Sequence, residues 1–294
     1  MKRLLFLVLL VGVIALVYFR PLTVFDAARS VYLKVIGMKS EYVQVGPHRI
    51  HYWVAGEGPP LVLVHGVASR AEDWTPLFHQ LKQRHRIYAP DLLGYGDSDA
   101  PRDSDYSIAT QTGVVRGFLD AMHLQQPDVA GVSMGGWIAL KLAAEHPDRV
   151  RRLVLISSAG LAFDTTLTET SFSATTVEEQ RRSFRLQSDL APKLPAFIVR
   201  DFLRRSQEKA WIVRASMRSM LRRRELLLDH KLQRVRMPVL IIAGTNDRIV
   251  PFSVARNLKN EMPHAILVPL PSCGHLAVFE CRAATMRAML PFLD

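Results

Sequence analysis

Short apolar runs alternate with longer amphipathic stretches through most of this chain. Runs at 61–64, 86–89, 128–132 and 150–156 carry few polar positions, as strands buried on both faces do. Stretches at 74–83, 108–122 and 134–145 repeat apolar residues every three to four positions, the period of a helix with one buried side. Upstream, 42–45 and 50–54 alternate around Gly46-Pro47-His48, predicting a β-hairpin. Such alternation of strands and helices predicts a parallel sheet covered on both faces. It breaks off at about residue 160. From there to about 236 only helical stretches rich in Arg, Leu, Phe and Met occur, before a strand at 239–243, a helix near 254–258, a strand at 266–269 and a helix from 276 onward. The expectation is one α/β domain over 41–294 with a helical cap at about 160–236, set over the C-terminal ends of the strands, where open α/β sheets hold ligands.

The first forty residues follow another pattern. Lys2 and Arg3 precede an unbroken apolar run, 4–19, closed by Arg20 and Pro21. As a helix this run reaches about 24 Å against a hydrocarbon core of roughly 30 Å, and snorkelling Lys and Arg side chains extend that reach. A cleaved signal peptide begins the same way, but no small-x-small cleavage site follows. Residues 1–20 are therefore expected to be a single-pass membrane anchor. Basic residues flank both ends, so charge does not fix which side the remainder faces. Residues 21–40 interleave Val24, Phe25, Val31, Tyr32, Val35 and Ile36 with Arg29 and Lys34, as in an interfacial helix or a linker helix packed on the domain.

Composition adds bounds. The chain has 294 residues, 49% of them apolar and 22% charged, which permits a large core and excludes global disorder. Two cysteines, Cys273 and Cys281, make no disulfide framework; thiols eight residues apart could stay free in any compartment, and no Cys/His cluster has zinc spacing. The net charge of +11 is concentrated, with sixteen basic and seven acidic residues between 178 and 236. No nucleic-acid-binding motif accompanies that excess, which argues against a nucleic-acid partner. It reads either as a solvated helical face or as a surface for anionic lipid headgroups, the second aided by Phe184, Phe197, Phe202, Trp211, Met217 and Met220.

Chemistry enters with Gly131-Val132-Ser133-Met134-Gly135, a G-x-S-x-G pattern between a predicted strand and a predicted helix. A serine in that turn is exposed, and the following amide, of Met134, lies at a helix N-terminus where it has no intrahelical acceptor. A hydroxyl needs a base to become a nucleophile. Of ten histidines, His275 directly follows the last predicted strand; His65 is expected to shape its own turn, and His51 and His146 to be surface or structural. Asp247 follows the penultimate strand, giving the order Ser133, Asp247, His275 that this motif class uses. The competing carboxylates Asp91, Asp97 and Asp99 precede the serine and are expected to order their own loop.

Taken together, His65-Gly66, residues 91–98, 131–136 and 244–251, and Gly274-His275 resemble the α/β-hydrolase fold family, from about residue 41 to the end. The resemblance implies a mostly parallel central sheet flanked by helices with a helical cap insertion, the backbone amide of Val67 as a second oxyanion donor beside Met134, and no metal or organic cofactor. Members resembling haloalkane dehalogenases and epoxide hydrolases carry an aspartate where this chain has Ser133. A serine implies instead an acyl-enzyme formed from a carbonyl substrate: an ester, thioester or amide, or a carbon–carbon bond beside a ketone. With the anchor and the basic cap, the expected activity is that of a carboxylesterase or lipase on lipophilic acyl esters such as monoacylglycerols or lysolipids. A carbon–carbon hydrolase of ring-cleavage products, suggested by Ser133-Met134-Gly135-Gly136, and a slow ligand sensor that kept its triad are the alternatives.

Overall fold

A computed structural model describes residue 12 and residues 15–188, 194–222 and 227–294. The apolar run expected to anchor the chain falls largely outside them, and among the described residues no helix is long and apolar enough to cross a membrane.

The expected hairpin is β1 (Lys39–Val45) paired antiparallel with β2 (His48–Ala55), Val45 opposite His48. Strands β3 (Pro60–Val64), β4 (Arg86–Pro90), β5 (Asp128–Val132), β6 (Leu153–Ile156), β7 (Val239–Gly244) and β8 (Ile266–Leu270) complete an eight-stranded sheet in the order β1-β2-β4-β3-β5-β6-β7-β8. β2 meets β4 antiparallel, and every pairing from β4 to β8 is parallel. Pro269, which has no amide hydrogen to donate, sits in the edge strand β8, where that lack costs least.

Alternate residues of each strand feed opposite cores. Val62, Val64 and Val129 pack into one with Phe118, Ile138 and Leu142, from α3 (Ile108–Ala121) and α4 (Met134–Glu145). Leu61, Leu63 and Ala130 pack into the other with Leu77 and Phe78 of α2 (Thr75–Leu81). Among the described residues three α-helices lie between β6 and β7 in the chain: α5 (Val177–Gln187), α6 (Ala196–Glu208) and α7 (Ala210–Arg222). The Thr176 hydroxyl accepts the Glu179 amide at 3.2 Å to start α5. Ile212, Val213 and Met217 of α7 join the first core, and the Tyr95 hydroxyl donates to Ser216 Oγ at 2.8 Å.

After β7 come α8 (Phe252–Glu261), β8, and two helices where the sequence predicts one: α9 (Ala277–Glu280) and α10 (Arg282–Leu293). The break is at Cys281, whose backbone leaves the helical region (φ −119°, ψ 33°). The expectation that the two cysteines could stay free is corrected here: Cys273 and Cys281 form a disulfide, their Cα atoms 6.2 Å apart. Sequence spacing alone carries no information about that distance.

Within residues 21–40 a helix packs on the domain. Helix α1 (Pro21–Val35) buries Leu33, donates the Leu22 amide to Asp201 of α6 at 3.0 Å, and sets Asp26 against Arg29, Arg70 and Arg205. Burial alone would raise the Asp26 pKa, but hydrogen bonds from Arg70 and Arg205 hold it below the usual carboxylate value. Its outer side stays apolar, with Phe25, Val31 and Val35 at 58%, 61% and 78% exposure.

His51 of β2 and Asp91 form a buried pair, Nδ1 to Oδ2 at 2.7 Å. Asp91 also accepts the amides of Ala71 (2.7 Å) and Asp97 (3.0 Å), so it orders the loop that follows β4. Burial would lower the His51 pKa, but Asp91 more than reverses it and the value lies above the ordinary 6.5. For Asp91 burial acts to raise the pKa, and the His51 bond leads the contacts that hold it below 3.8. The imidazolium's share of stability is complete below pH 6.5 and is lost as pH rises through the raised value; the carboxylate's share is present above 3.8 and lost on further acidification. Comparing thermal midpoints of wild type and His51→Asn between pH 5 and 9 should therefore show a gap that is widest near pH 5–6 and narrows at alkaline pH. A gap independent of pH would mean that His51 is neutral in the fold.

Candidate active site

Ser133 links β5 to α4 with φ 54° and ψ −119°, a conformation that costs a non-glycine residue on the order of 1–3 kcal/mol and survives only where the surroundings enforce it. They do so here. The Ser133 amide donates to Ile156 O of β6 at 3.0 Å, and its carbonyl accepts the Trp137 amide at 3.1 Å. A Cβ at Gly131 would lie 2.3 Å from Gly135 O, and one at Gly135 would lie 2.3 Å from Val64 O. The two bracketing glycines thus let the first turn of α4 press onto the strand ends. That closeness is the steric content of the sequence pattern.

Asp247 lies three residues beyond β7 and His275 five beyond β8, at the C-terminal edge that also carries Ser133. Both are buried, at 7% and 6% exposure. Asp247 Oδ1 accepts the amides of Ile249 (2.8 Å) and Val250 (2.9 Å), which aims Oδ2 at His275 Nδ1, 2.8 Å away. A carboxylate only accepts, so Nδ1 carries the hydrogen and Nε2 is left as the basic nitrogen. The structure thus joins Asp247 to His275. No hydrogen bond joins the Ser133 hydroxyl to His275 among the described residues, and such contacts commonly tighten only once substrate is present.

Met134, at the start of α4, directly follows the serine. Gly66, next to Val67, faces Ser133 so closely that a Cβ there would lie 3.3 Å from Ser133 Cβ. His65 holds that loop. Its Nε2 accepts the Leu92 amide at 3.0 Å, so Nδ1 bears the hydrogen and donates to Gly66 O at 2.8 Å. Burial pushes its pKa down and keeps it neutral. His146 instead lies at the surface beside Arg116. Asp99 accepts the Arg49 amide at 2.7 Å, well away from His275.

Two contacts had no signal in the sequence. The His275 amide donates to Gln187 O at 3.0 Å, and Arg248, next to Asp247, donates to Arg185 O at 2.9 Å. Both acceptors are peptide carbonyls at the end of α5, and any residue type supplies a carbonyl.

A family model described as "alpha/beta hydrolase fold" matches residues 59–280. A 2-hydroxymuconate semialdehyde hydrolase of Pseudomonas putida is 34% identical over 259 residues, covering 81% of this chain and 88% of its own. A pimeloyl-[acyl-carrier protein] methyl ester esterase of Nitrosomonas europaea is 31% identical, covering 77% and 92%. Among solved structures, a bacterial membrane phospholipase A described as a virulence factor superposes with a TM-score of 0.85 at 30% identity, covering 100% of this chain and 98% of its own. The chain belongs to the alpha/beta hydrolase fold family, and it is a hydrolase of that fold.

Proposed function

We propose that this hydrolase cleaves lipophilic carboxylic esters through an acyl-enzyme on Ser133. The observation that carries the reading is the buried Asp247–His275 pair at the strand edge where Ser133 occupies its strained turn. In the proposed cycle, Ser133 Oγ attacks the ester carbonyl while His275 Nε2 takes its proton, and Asp247 stabilises the resulting imidazolium. The amides of Val67 and Met134 receive the oxyanion, and a donor of this kind is worth about 10²–10³ in rate. His275 then protonates the leaving alcohol, and a water activated by the same imidazole releases the acid.

The lipophilic substrate is supported by three features. The likeness to the membrane phospholipase A covers 100% of this chain, against 81% for the match to the 2-hydroxymuconate semialdehyde hydrolase. The apolar run at 4–19 leads into α1, whose outer side is apolar. The helices between β6 and β7 are rich in arginine, and each basic group near an anionic membrane contributes about 1 kcal/mol. We read these as a single-pass anchor followed by a domain whose inserted helices cap the site and face the lipid surface. A second reading, carbon–carbon hydrolysis, is favoured by the 34% identity to the 2-hydroxymuconate semialdehyde hydrolase.

Three outcomes are expected. Ser133→Ala should abolish labelling by a fluorophosphonate and lower kcat by about 10⁴-fold or more with the fold intact by circular dichroism; labelling that persists would place the nucleophile elsewhere. Asp247→Asn should keep labelling detectable but slow turnover by about 10³–10⁴. With p-nitrophenyl esters of increasing chain length, and with lysolipid in anionic vesicles, kcat/KM should rise with chain length and on vesicles. Loss of a dienoate chromophore, with ester turnover absent, would select the carbon–carbon reading instead.

A further inference from the structure

We propose that the Cys273–Cys281 disulfide positions the base: it holds the His275 loop against Asp247, and reducing it lowers turnover. The proposal rests on the Ser133–His275–Asp247 reading above.

Cys273 is fully buried two residues before His275, while Cys281 sits at the junction of α9 and α10. That junction is fixed. The Cys281 amide donates to Ala277 O at 3.1 Å, its carbonyl accepts the Thr285 amide at 2.8 Å, and α10 buries Met286, Met289 and Leu293 in the core. One end of the disulfide is therefore set in rigid structure, and the other is in the loop that presents the base.

Apart from the disulfide, the loop is held by hydrogen bonds and packing. Ser272 stands at φ 55°, in the left-handed region, a conformation that relaxes unless neighbours enforce it. Its amide reaches Thr245 Oγ1 at 3.2 Å, and the Gly274 amide reaches Glu280 Oε2 at a long 3.3 Å. The remaining ties run to the acid loop and to α5: Cys273 O accepts the Asn246 amide at 3.0 Å, and the His275 amide donates to Gln187 O at 3.0 Å. The packing is close enough that a Cβ at Gly244 would lie 2.2 Å from Cys273 O. Releasing Cys273 thus frees the one covalent hold on a segment whose displacement moves His275 and the neighbour of Asp247 together.

Reduction by a dithiol breaks the S–S bond, delivers two electrons and two protons to the cysteines, and leaves the reductant as a cyclic disulfide. The bond forms and persists in an oxidising compartment, so the proposed activity is coupled to the redox state of the hydrolase domain's surroundings.

The test uses the full chain in detergent micelles with p-nitrophenyl butyrate. Titration of thiols after denaturation should find none in the untreated protein. Dithiothreitol treatment of wild type, and separately Cys281→Ser, should each lower kcat and the rate of fluorophosphonate labelling about tenfold or more, with KM changed by less than about threefold and circular dichroism unaltered. Reoxidation with diamide should restore wild type, and dithiothreitol should do nothing further to Cys281→Ser. Should Cys281→Ser fail to fold, the reduced wild type still decides. Two free thiols in untreated protein, or full kcat and labelling beside a lowered thermal midpoint, would overturn the proposal, the second result marking a purely structural bond. Oxidised wild type that never labels at Ser133 marks a different failure, that of the serine-hydrolase reading, and this proposal goes with it.

Discussion

The constraint on which the structure turns is steric: a non-glycine residue held at positive φ between a buried strand and a buried helix. Ser133 stays there because β5 is pinned on both sides, by β3 and by β6, and because no Cβ at Gly131 or Gly135 keeps α4 away. The strand order does the rest. Since β3 neighbours β5, the loop after β3 arrives beside the serine, and Gly66 reaches it from nearly seventy residues upstream. Since β6, β7 and β8 follow in sequence on the other side, Asp247 and His275 come to the same edge. Position along the chain and position in the sheet are thus linked by a few parallel crossovers, each carrying a loop to one rim.

Polar groups under that rim act as braces. His65 and His51 are both buried, yet their neighbours set opposite protonation. His65 bonds a backbone amide and a backbone carbonyl, which suits a neutral ring, whereas His51 faces the Asp91 carboxylate, which favours a charged one. Through Asp91 the braces connect: one carboxylate organises the loop after β4, accepts from Ala71 at the start of the turn leading to α2, and pairs with β2. Arg70, next to Ala71, carries the connection outward to Asp26 of α1, and Asp26 also meets Arg205 of α6. The loop holding Val67 is therefore framed by ion pairs that reach both the N-terminal helix and the inserted helices. A change in how α1 sits has a physical route to the site.

Much of the fold was legible because its signals are local. Apolar runs of strand length and amphipathic stretches of helix length read directly, and the predicted strands fall within a residue or two of those observed, apart from 42–45, which misses the first three residues of β1, and 150–156, whose first three residues precede β6. The turn at Ser133 was legible because its chemistry requires small neighbours within two residues. What escaped was non-local or carried by the backbone. The disulfide depends on a distance that eight residues of sequence do not encode; the helix break at Cys281 follows a backbone conformation that cysteine does not announce; and the α5 carbonyls that accept from His275 and Arg248 have no side-chain identity. Helix α1 was ambiguous for a different reason. Its composition suits a membrane surface and a protein surface alike, and it has one side of each kind.

That two-sidedness bears on the choice between ester and carbon–carbon chemistry. The catalytic groups do not discriminate, because both reactions begin with a carbonyl placed beside a serine and an oxyanion site. Discrimination lies in what surrounds them. A soluble, charged dienoate gains nothing from an apolar helix face, although arginines attract its carboxylate as they attract an anionic headgroup. On the proposed reading a lipid ester gains from both, since apolar surface would draw the enzyme to a bilayer and basic groups would hold it at anionic headgroups. Asp26 ties α1 to the inserted helices and to the loop that bears Val67, so the segment best suited to lipid is braced against the elements that would shape the site. On the lipid-ester proposal, that bracing links the helix nearest the membrane to the elements around Ser133.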